Sequence, residues 1–182
     1  MIYLISDTHF NHKNIIEYEN RPFNSVAEMN QVIIDRWNQI VSPEDTIIHL
    51  GDVALGAESS LKSIIPTLNG HKILIRGNHD RKSKQFFLEC GFEEVCNSKM
   101  INEKGIKIYL SHLPESRPTN GESYDLHFYG HVHSKGAEKD FPTICHNGAC
   151  LCVERWNYQP VPLTEVIKLC LFCPDSEISN KI

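Results

Sequence analysis

The sequence has no long hydrophobic run, no internal repeat and no linker rich in glycine or serine. Its first apolar stretch, Met1–Ile5, is followed by Asp7 and has neither a charged segment before it nor a small-residue cleavage site after it. We therefore expect no membrane span and no signal peptide, because a spanning helix needs about 20 apolar residues. The undivided pattern predicts one domain over residues 1–182, with a polar end at 174–182 that frays.

A strong excess of charge of either sign is also missing. The 182 residues include 18 Lys and Arg against 23 Asp and Glu, which gives a net charge of −5. Proteins that hold long nucleic acid by neutralising its phosphates are usually basic, so we do not expect this class of partner. The content of 41% hydrophobic and 23% charged residues is typical of a globular chain with one well-filled core.

Seven cysteines are present without secretory targeting, and this odd number predicts free thiols in the cytoplasm rather than a disulfide framework. Cys170 and Cys173 have the spacing of a zinc knuckle, which Cys150 and Cys152 could complete. Core packing is the simpler interpretation. Cys170 falls on the apolar face of the last predicted helix, and Cys150 and Cys152 share one face of a predicted strand.

Short β-branched segments alternate with segments of helical period, which predicts an α/β fold. The predicted strands are Ile2–Ser6, Thr46–Leu50, Ile73–Arg76, Ile106–Ser111, Leu126–Gly130, Thr143–His146 and Cys150–Val153. The predicted helices are Val26–Ile40, with a capping box at Ser25 and Glu28, a segment around 61–68, Lys84–Cys90 and Val161–Leu171. A turn at Asn102–Gly105 predicts a hairpin, so the sheet is mixed or two sheets pack together.

Polar groups follow the ends of five predicted strands: Asp7-Thr8-His9, Gly51-Asp52, Gly77-Asn78-His79-Asp80, Ser111-His112 and Gly130-His131-Val132-His133. Side chains beyond the carboxyl ends of strands converge in an open α/β sheet even when they are distant in sequence. Seven oxygen and nitrogen donors are therefore expected to meet: Asp7, His9, Asp52, Asn78, His112, His131 and His133. This number exceeds what one tetrahedral ion needs and suits two five- or six-coordinate ions that share a carboxylate.

Spacing within the motifs supports a common site. Asp7 and His9 are two residues apart, as are His131 and His133, and such pairs point to one side of an extended segment. A glycine that permits a tight turn and close backbone approach precedes three of the donors, at Gly51, Gly77 and Gly130. Histidines outside the motifs are predicted to be structural: His49, His71, His127 and His146.

This ordered set of motifs, from Asp7 to His133, resembles the calcineurin-like metallophosphoesterase superfamily. The resemblance implies a four-layer sandwich of two mixed β-sheets flanked by helices, with a dinuclear site at the strand ends. It implies one ion held by Asp7, His9, Asp52 and His133, and another held by Asp52, Asn78, His112 and His131. It also implies attack by a metal-bridging hydroxide, with Asn78 bound to metal and phosphate and His79 protonating the leaving oxygen or stabilising the transition state.

One departure from the superfamily pattern narrows the expected function. After Gly51 and Asp52 the sequence continues Val53–Gly56, where the serine/threonine phosphatases of the superfamily carry a second Asp and an Arg. Protein phosphatase activity is therefore not expected. The resemblance instead points to the small bacterial-type and phage-type phosphoesterases, which the stretches Asn11–Asn14 and Arg21–Phe23 also resemble.

The expected function is hydrolysis of a small phosphate ester or nucleotide, with a phosphodiester favoured over a monoester. Mn²⁺ is the expected metal, ahead of Fe, Zn²⁺, Ni²⁺ or Mg²⁺. His12 and Arg117 are candidate substrate contacts, and Asp80 is a candidate to orient His79. Two alternatives stay open: a non-catalytic protein-interaction module on the same fold, and a metal-dependent nuclease, which the acidic charge balance disfavours.

Overall fold

Two five-stranded sheets and five helices form the fold in the computed structural model, which describes residues 1–133 and 139–173. The strands are β1 Ile2–Ile5, β2 Thr46–His49, β3 His71–Ile75, β4 Phe92–Cys96, β5 Ser98–Glu103, β6 Ile106–Ser111, β7 Leu126–Tyr129, β8 Ile144–Cys145, β9 Gly148–Cys150 and β10 Val161–Pro162. The helices are α1 Lys13–Tyr18, α2 Val26–Ile40, α3 Glu58–Ile64, α4 Lys84–Glu89 and α5 Leu163–Leu171, with single 3₁₀ turns at Ile65–Thr67 and Val153–Trp156.

Both sheets are mixed. The first has the order β10-β1-β2-β3-β4, with β1 to β4 parallel and β10 antiparallel to β1. The second has the order β5-β6-β7-β9-β8, with β6, β7 and β9 parallel and the two edge strands antiparallel to their neighbours. The predicted α/β class with two mixed sheets and flanking helices is confirmed.

Helices α1 to α4 pack on one face of the first sheet. In α2, Met29, Ile33 and Trp37 form a fully buried stripe, as the helical spacing predicts. Ser25 caps this helix by accepting a hydrogen bond from the Glu28 backbone at 3.1 Å, which confirms half of the predicted capping box. The Trp37 indole donates to the Asn69 carbonyl at 3.0 Å, so α2 is fixed to the loop before β3.

A second apolar cluster joins the two sheets. Leu4 and Ile48 from the first sheet and Phe128 from the second are at most 2% exposed, and Val166 and Cys170 of α5 belong to the same cluster. This burial agrees with the prediction that Cys170 is a core residue. None of the seven cysteines forms a disulfide. Among residues 1–133 and 139–173, no cluster of possible metal ligands contains Cys170 or Cys173.

Several element boundaries differ from the sequence-based prediction. Helix α1 and strand β4 were not predicted, and the last helix begins at Leu163 because Val161–Pro162 pairs with β1 as β10. The predicted strand at Cys150–Val153 lies earlier, at Gly148–Cys150. A Cβ atom at Gly148 would lie only 2.0 Å from the His127 carbonyl oxygen, so the two backbones are in close contact. The predicted frayed end at 174–182 lies outside the described residues. Within the described ranges, no helix is long and apolar enough to cross a membrane.

Candidate metal centre

Five of the seven predicted donors have left-handed backbone conformations, with φ of 59° at Asp7, 50° at His9, 57° at Asp52, 72° at His131 and 47° at His133. Non-glycine residues rarely adopt this region, and such residues concentrate at functional sites. The prediction that each pair converges because its segment is extended is therefore wrong. The chain turns sharply after β1, β2 and β7, and these turns bring the five side chains into the two groups of donors described below.

One group of donors contains Asp7, His9 and His133, whose candidate ligand atoms all lie within 4.8 Å of one another. Asp7 Oδ1 is 3.8 Å from His9 Nε2 and 3.5 Å from His133 Nε2. Asp7 Oδ1 and His9 Nε2 are buried and have no hydrogen-bond partner. Buried polar atoms normally have a partner, so these two atoms are consistent with a site for a cation.

The second group contains Asp52, His112 and His131, also within 4.8 Å of one another. His112 Nδ1 lies 2.8 Å from the Leu50 carbonyl, which can only accept, so this nitrogen carries a proton. In the neutral ring, the Nε2 lone pair then faces Asp52 Oδ2 at 3.4 Å and Asn78 Oδ1 at 2.9 Å. Three acceptors thus converge, which is the arrangement that a bound cation requires.

Asp52 of the second group also lies close to the first group. Its Oδ2 is 3.4 Å from His112 Nε2 in the second group and 3.6 Å from His9 Nε2 in the first. Its Oδ1 accepts a hydrogen bond from the His79 backbone at 2.9 Å, which fixes the orientation of the carboxylate. The pKa of Asp52 is lowered despite burial, because the hydrogen bond and charge of His112 outweigh the cost of burying the carboxylate.

Comparison with known proteins identifies the family. A family model described as a calcineurin-like phosphoesterase superfamily domain matches residues 1–161. The chain belongs to this superfamily. It is 39% identical to the uncharacterized protein MJ1445 of Methanocaldococcus jannaschii over 173 residues, covering 92% of this chain and 90% of that protein.

Two further similarities accompany the family match. The crystal structure of AQ665 from Aquifex aeolicus, a protein of unknown function, has a TM-score of 0.75 and 32% identity, over 93% of this chain and 98% of that one. The Gene 66 protein of Mycobacterium phage L5 is 32% identical over 78 residues, which are 41% of this chain and 37% of that protein. The family match makes the chain a metal-dependent phosphoesterase domain.

The electrostatics of the phosphoesterase site favour positive charge. Burial lowers the pKa of His112 and His133, but hydrogen bonds to Asp52 and Glu154, together with nearby carboxylates, outweigh it and raise both values to about 9. His9 has no comparable hydrogen bond, and burial lowers its pKa well below the ordinary value. The two rings that face carboxylates therefore attract a proton at the positions where a metal ion would bind.

Close backbone approach between the motifs depends on glycine. At Gly51, which has a φ of 98°, a Cβ atom would lie only 2.6 Å from the Gly77 nitrogen. At Gly77, a Cβ would overlap the Asp52 carboxylate, and at Gly130 it would overlap the Ser6 hydroxyl. The predicted need for glycine before the donors is confirmed, because the segments that carry the ligands are in direct contact.

The structure gives Asp80 a different role from the predicted one. Its carboxylate accepts backbone hydrogen bonds from Gly77 and Asp52 at 2.8 Å each and from Val53 at 3.1 Å, and it is 2% exposed. Asp80 therefore ties together the segments that follow β2 and β3 and does not orient the His79 ring. Burial raises its pKa despite these hydrogen bonds.

The remaining predicted residues lie at different distances from the donors. The half-buried His79 ring is 5.5 Å from the His9 ring, measured between centroids. The His12 ring is 5.3 Å from His9 and 6.5 Å from His79, so His12 borders the site. Arg117 is exposed, and its guanidinium donates to carbonyls of its own loop, at Pro114 and Ser116.

His49, predicted to be structural, lies beneath the site and is 1% exposed. Thr8 Oγ1 donates to the Val53 carbonyl at 2.7 Å and therefore accepts from His49 Nε2 at 2.9 Å. His49 Nδ1 accepts from the Gly51 backbone at 3.1 Å, so the ring is neutral, with its proton on Nε2. Burial lowers its pKa to about 3.

Sequence reasoning did not assign a role to two residues that contact the donors. Arg21, 4% exposed, donates to the backbone carbonyls of Asp7 and Thr8 and to the Glu154 carboxylate. Glu154 in turn accepts from His133 Nδ1 at 3.0 Å. The stretch from Arg21 to Phe23 resembles the small phosphoesterases, and this was the available signal for Arg21. Nothing in the local sequence distinguishes Glu154 from a surface acid.

Proposed function

We propose that this phosphoesterase uses two divalent metal ions to hydrolyse small phosphate esters, and that phosphodiesters are better substrates than monoesters. The observation that carries the proposal is the position of Asp52, whose Oδ2 lies 3.6 Å from His9 Nε2 and 3.4 Å from His112 Nε2. A carboxylate oxygen between two groups of donors supports a bridging role. When bound, two ions would activate water and neutralise charge on the phosphoryl oxygens.

The residues present fit metal ions of the first transition series. The buried atoms Asp7 Oδ1 and His9 Nε2 have no other partner. Imidazole mixed with carboxylate and amide oxygen suits Mn²⁺, Fe, Zn²⁺ or Ni²⁺, whereas Mg²⁺ prefers oxygen alone. We propose Mn²⁺ first. The proposed ligands are Asp7, His9, Asp52 and His133 for one ion, and Asp52, Asn78, His112 and His131 for the other.

His79 is the proposed proton donor. Its backbone nitrogen is hydrogen-bonded to Asp52 Oδ1, so the residue is held beside the ligands while its ring stays half-buried. An alkoxide leaving group needs a proton near neutral pH, and a positioned imidazole can supply it. Asn78 is the proposed contact of both a metal ion and a phosphoryl oxygen. This residue is exposed and its Oδ1 lies 2.9 Å from His112 Nε2, which supports a place among the ligands.

The preference for diesters is supported by what the nearby arginines bind. Arg21 is committed to the carbonyls of Asp7 and Thr8, and Arg76 donates to the carbonyls of Asp80 and Lys82. These guanidinium groups therefore do not face a substrate phosphate. A monoester dianion gains more from an added cationic side chain than a diester monoanion does, so their commitment favours the diester.

His12 and Arg117 are the proposed substrate contacts. The His12 ring lies 5.3 Å from that of His9 and 6.5 Å from that of His79, which supports a contact with a phosphate ester bound beside them. We expect His12→Ala to raise KM while leaving metal stoichiometry unchanged. Arg117→Met, in the loop after His112, tests the second contact with the same assay, and an unchanged KM would remove Arg117 from the site.

Hydrolysis of bis-p-nitrophenyl phosphate and p-nitrophenyl phosphate tests the proposal. The protein is stripped of metal, refilled with Mn²⁺ and compared with Asp52→Asn. Asp35→Asn on α2 is the matched control, because Asp35 is exposed and bonds to Gln31 within the same helix. We expect metal-dependent activity that prefers the diester, a loss of at least ~100-fold in Asp52→Asn, and no change in the control.

The alternatives give different results in this assay. His79→Ala should abolish turnover while both ions stay bound. Two bound ions without turnover of either ester would contradict the enzymatic proposal and favour a protein-interaction module. Cleavage of oligonucleotides with a steep dependence on salt would favour a nuclease. Activity that survives removal of metal, or Asp52→Asn, would refute the metal-based proposal.

A further inference from the structure

Arg21 and Glu154 form a buried ion pair directly behind one half of the metal centre. Arg21 lies between α1 and α2, and Glu154 lies in the 3₁₀ turn after β9, so the pair joins distant parts of the chain. The Nε and one terminal nitrogen of Arg21 donate to Glu154 Oε1 at 2.9 and 2.6 Å. The side chains of Arg21 and Glu154 are 0% and 3% exposed.

Each member of the pair also holds a segment that carries metal ligands. Arg21 donates to the Asp7 carbonyl at 2.7 Å and to the Thr8 carbonyl at 2.9 Å. These carbonyls belong to the segment in which Asp7 and His9 adopt left-handed conformations. Because two consecutive peptide groups bind one rigid guanidinium fork, the backbone between the two ligands is restrained from relaxing.

Glu154 fixes the ring of His133. Its Oε1 accepts a hydrogen bond from His133 Nδ1 at 3.0 Å, which leaves Nε2, 3.5 Å from Asp7 Oδ1, as the nitrogen that would ligate a metal ion. A carboxylate behind a metal-bound histidine fixes the tautomer and increases the basicity of the ligand nitrogen. The corresponding partner of His112 in the other group is a neutral backbone carbonyl, at Leu50.

A buried ion pair is seldom a net source of stability, because removing both charges from water costs about as much as their attraction returns. Here one oxygen, Glu154 Oε1, receives three donors, while Glu154 Oε2 is buried and has no hydrogen-bond partner. The carboxylate is therefore oriented toward Arg21 and His133, although this orientation leaves its second oxygen without a hydrogen bond. This arrangement points to a positioning role.

We propose that the Arg21–Glu154 pair selectively builds the ion site formed by Asp7, His9 and His133, and that the site around His112 and His131 does not depend on it. Arg21 and Glu154 are positioning residues that act through the ligands. This inference rests on the two-ion proposal above. It implies that the affinity for one ion can be lowered without changing any ligand, while the affinity for the other stays the same.

Titration of the metal-stripped protein with Mn²⁺ tests this inference, with free Mn²⁺ measured by electron paramagnetic resonance. Glu154→Gln keeps the size of the side chain and an acceptor for His133 but removes the charge, and Arg21→Lys removes the fork. The matched controls are Glu89→Gln, in an exposed ion pair with Lys62, and Arg36→Lys, which changes an arginine that donates to Asn157.

We expect two ions in the wild type and in both controls. In Glu154→Gln and Arg21→Lys, one Mn²⁺ ion should bind about tenfold to 100-fold more weakly while the other keeps its affinity. The electron paramagnetic resonance signal of two magnetically coupled Mn²⁺ ions should weaken in parallel. Unchanged binding of both ions would overturn the inference. Equal weakening of both ions with a lower Tm would also overturn it, because a merely structural role predicts that result.

The conservative variant Glu154→Gln keeps the inference testable if Arg21→Lys fails to fold. Failure of the underlying proposal is recognised separately. A wild-type protein that binds fewer than two ions refutes the two-ion proposal, and the inference with it, before any variant is measured.

Discussion

Acidification should destabilise this phosphoesterase through His49. The ring is neutral in the folded state, where Nδ1 accepts from Gly51 and Nε2 donates to Thr8. A proton on Nδ1 would set two donors against each other in a site that is 1% exposed. Burial, which outweighs the nearby Asp52 carboxylate, lowers the folded-state pKa from an ordinary 6.5 to about 3.

The sign and size of the effect follow from linkage. Because the unfolded chain binds the proton more tightly, the stability contributed by neutral His49 is complete above pH 6.5 and is lost as the pH falls from 6.5 toward 3. Between pH 8 and pH 5 this loss is about 2 kcal/mol. For an m-value of about 2 kcal/mol/M, the urea midpoint should fall by about 1 M.

Urea unfolding at pH 8 and pH 5 measures this loss, with chelator present so that release of metal does not contribute. His49→Gln is the comparison, because glutamine can hydrogen-bond but does not titrate. The drop in unfolding free energy should be about 2 kcal/mol larger in the wild type than in the variant. Equal drops in the two proteins would refute the assigned tautomer and the reasoning that follows from it.

Three further predictions concern the segments around the ligands. Asp80→Asn should lower the unfolding free energy by about 1–3 kcal/mol in thermal melts, since its amide would face a backbone donor at Gly77, Asp52 or Val53; a melt like that of Asp35→Asn would contradict this. Gly77→Ala should cost about 1–3 kcal/mol and weaken Mn²⁺ binding, because the added Cβ overlaps the Asp52 carboxylate; unchanged Mn²⁺ affinity would show that the segments can separate freely. Mn²⁺ at 100 times its dissociation constant should stabilise the wild type by about 2.7 kcal/mol per independent site, and a Tm that does not respond to chelator would argue against ion binding in the folded state.

The donors of the candidate site could be predicted from sequence because each follows an apolar strand. Asp7 follows β1 by two residues, Asp52 follows β2 by three, and His112 directly follows β6. The sheet topology therefore brings these donors together. The local conformation could not be predicted in the same way. The extended pairing predicted for Asp7 and His9 ignored the left-handed turns at both residues, which tertiary contacts impose and which the residue types merely tolerate.

The missed elements are those with weak local signals. Helix α1 has six residues, and its N-cap His12 makes no side-chain capping hydrogen bond. Strand β4 is short and contains two consecutive glutamates, so its alternation is poor, and it forms because β3 offers a free edge. Arg21 and Glu154 act by contacts between segments 133 residues apart, for which no local pattern exists.

The left-handed turns also limit how the metal preference of this fold can be altered. Aspartate and histidine, with asparagine, are the non-glycine residues that best tolerate this backbone region, so ligand chemistry and local conformation select the same residue types. Exchanging Asp7 or Asp52 for glutamate, or His133 for methionine, would change the donor. It would also put a residue type that tolerates the left-handed region less well at a φ between 47° and 59°. The metal preference is therefore better altered by substituting the residues that hold the ligands in place than by substituting the ligands themselves.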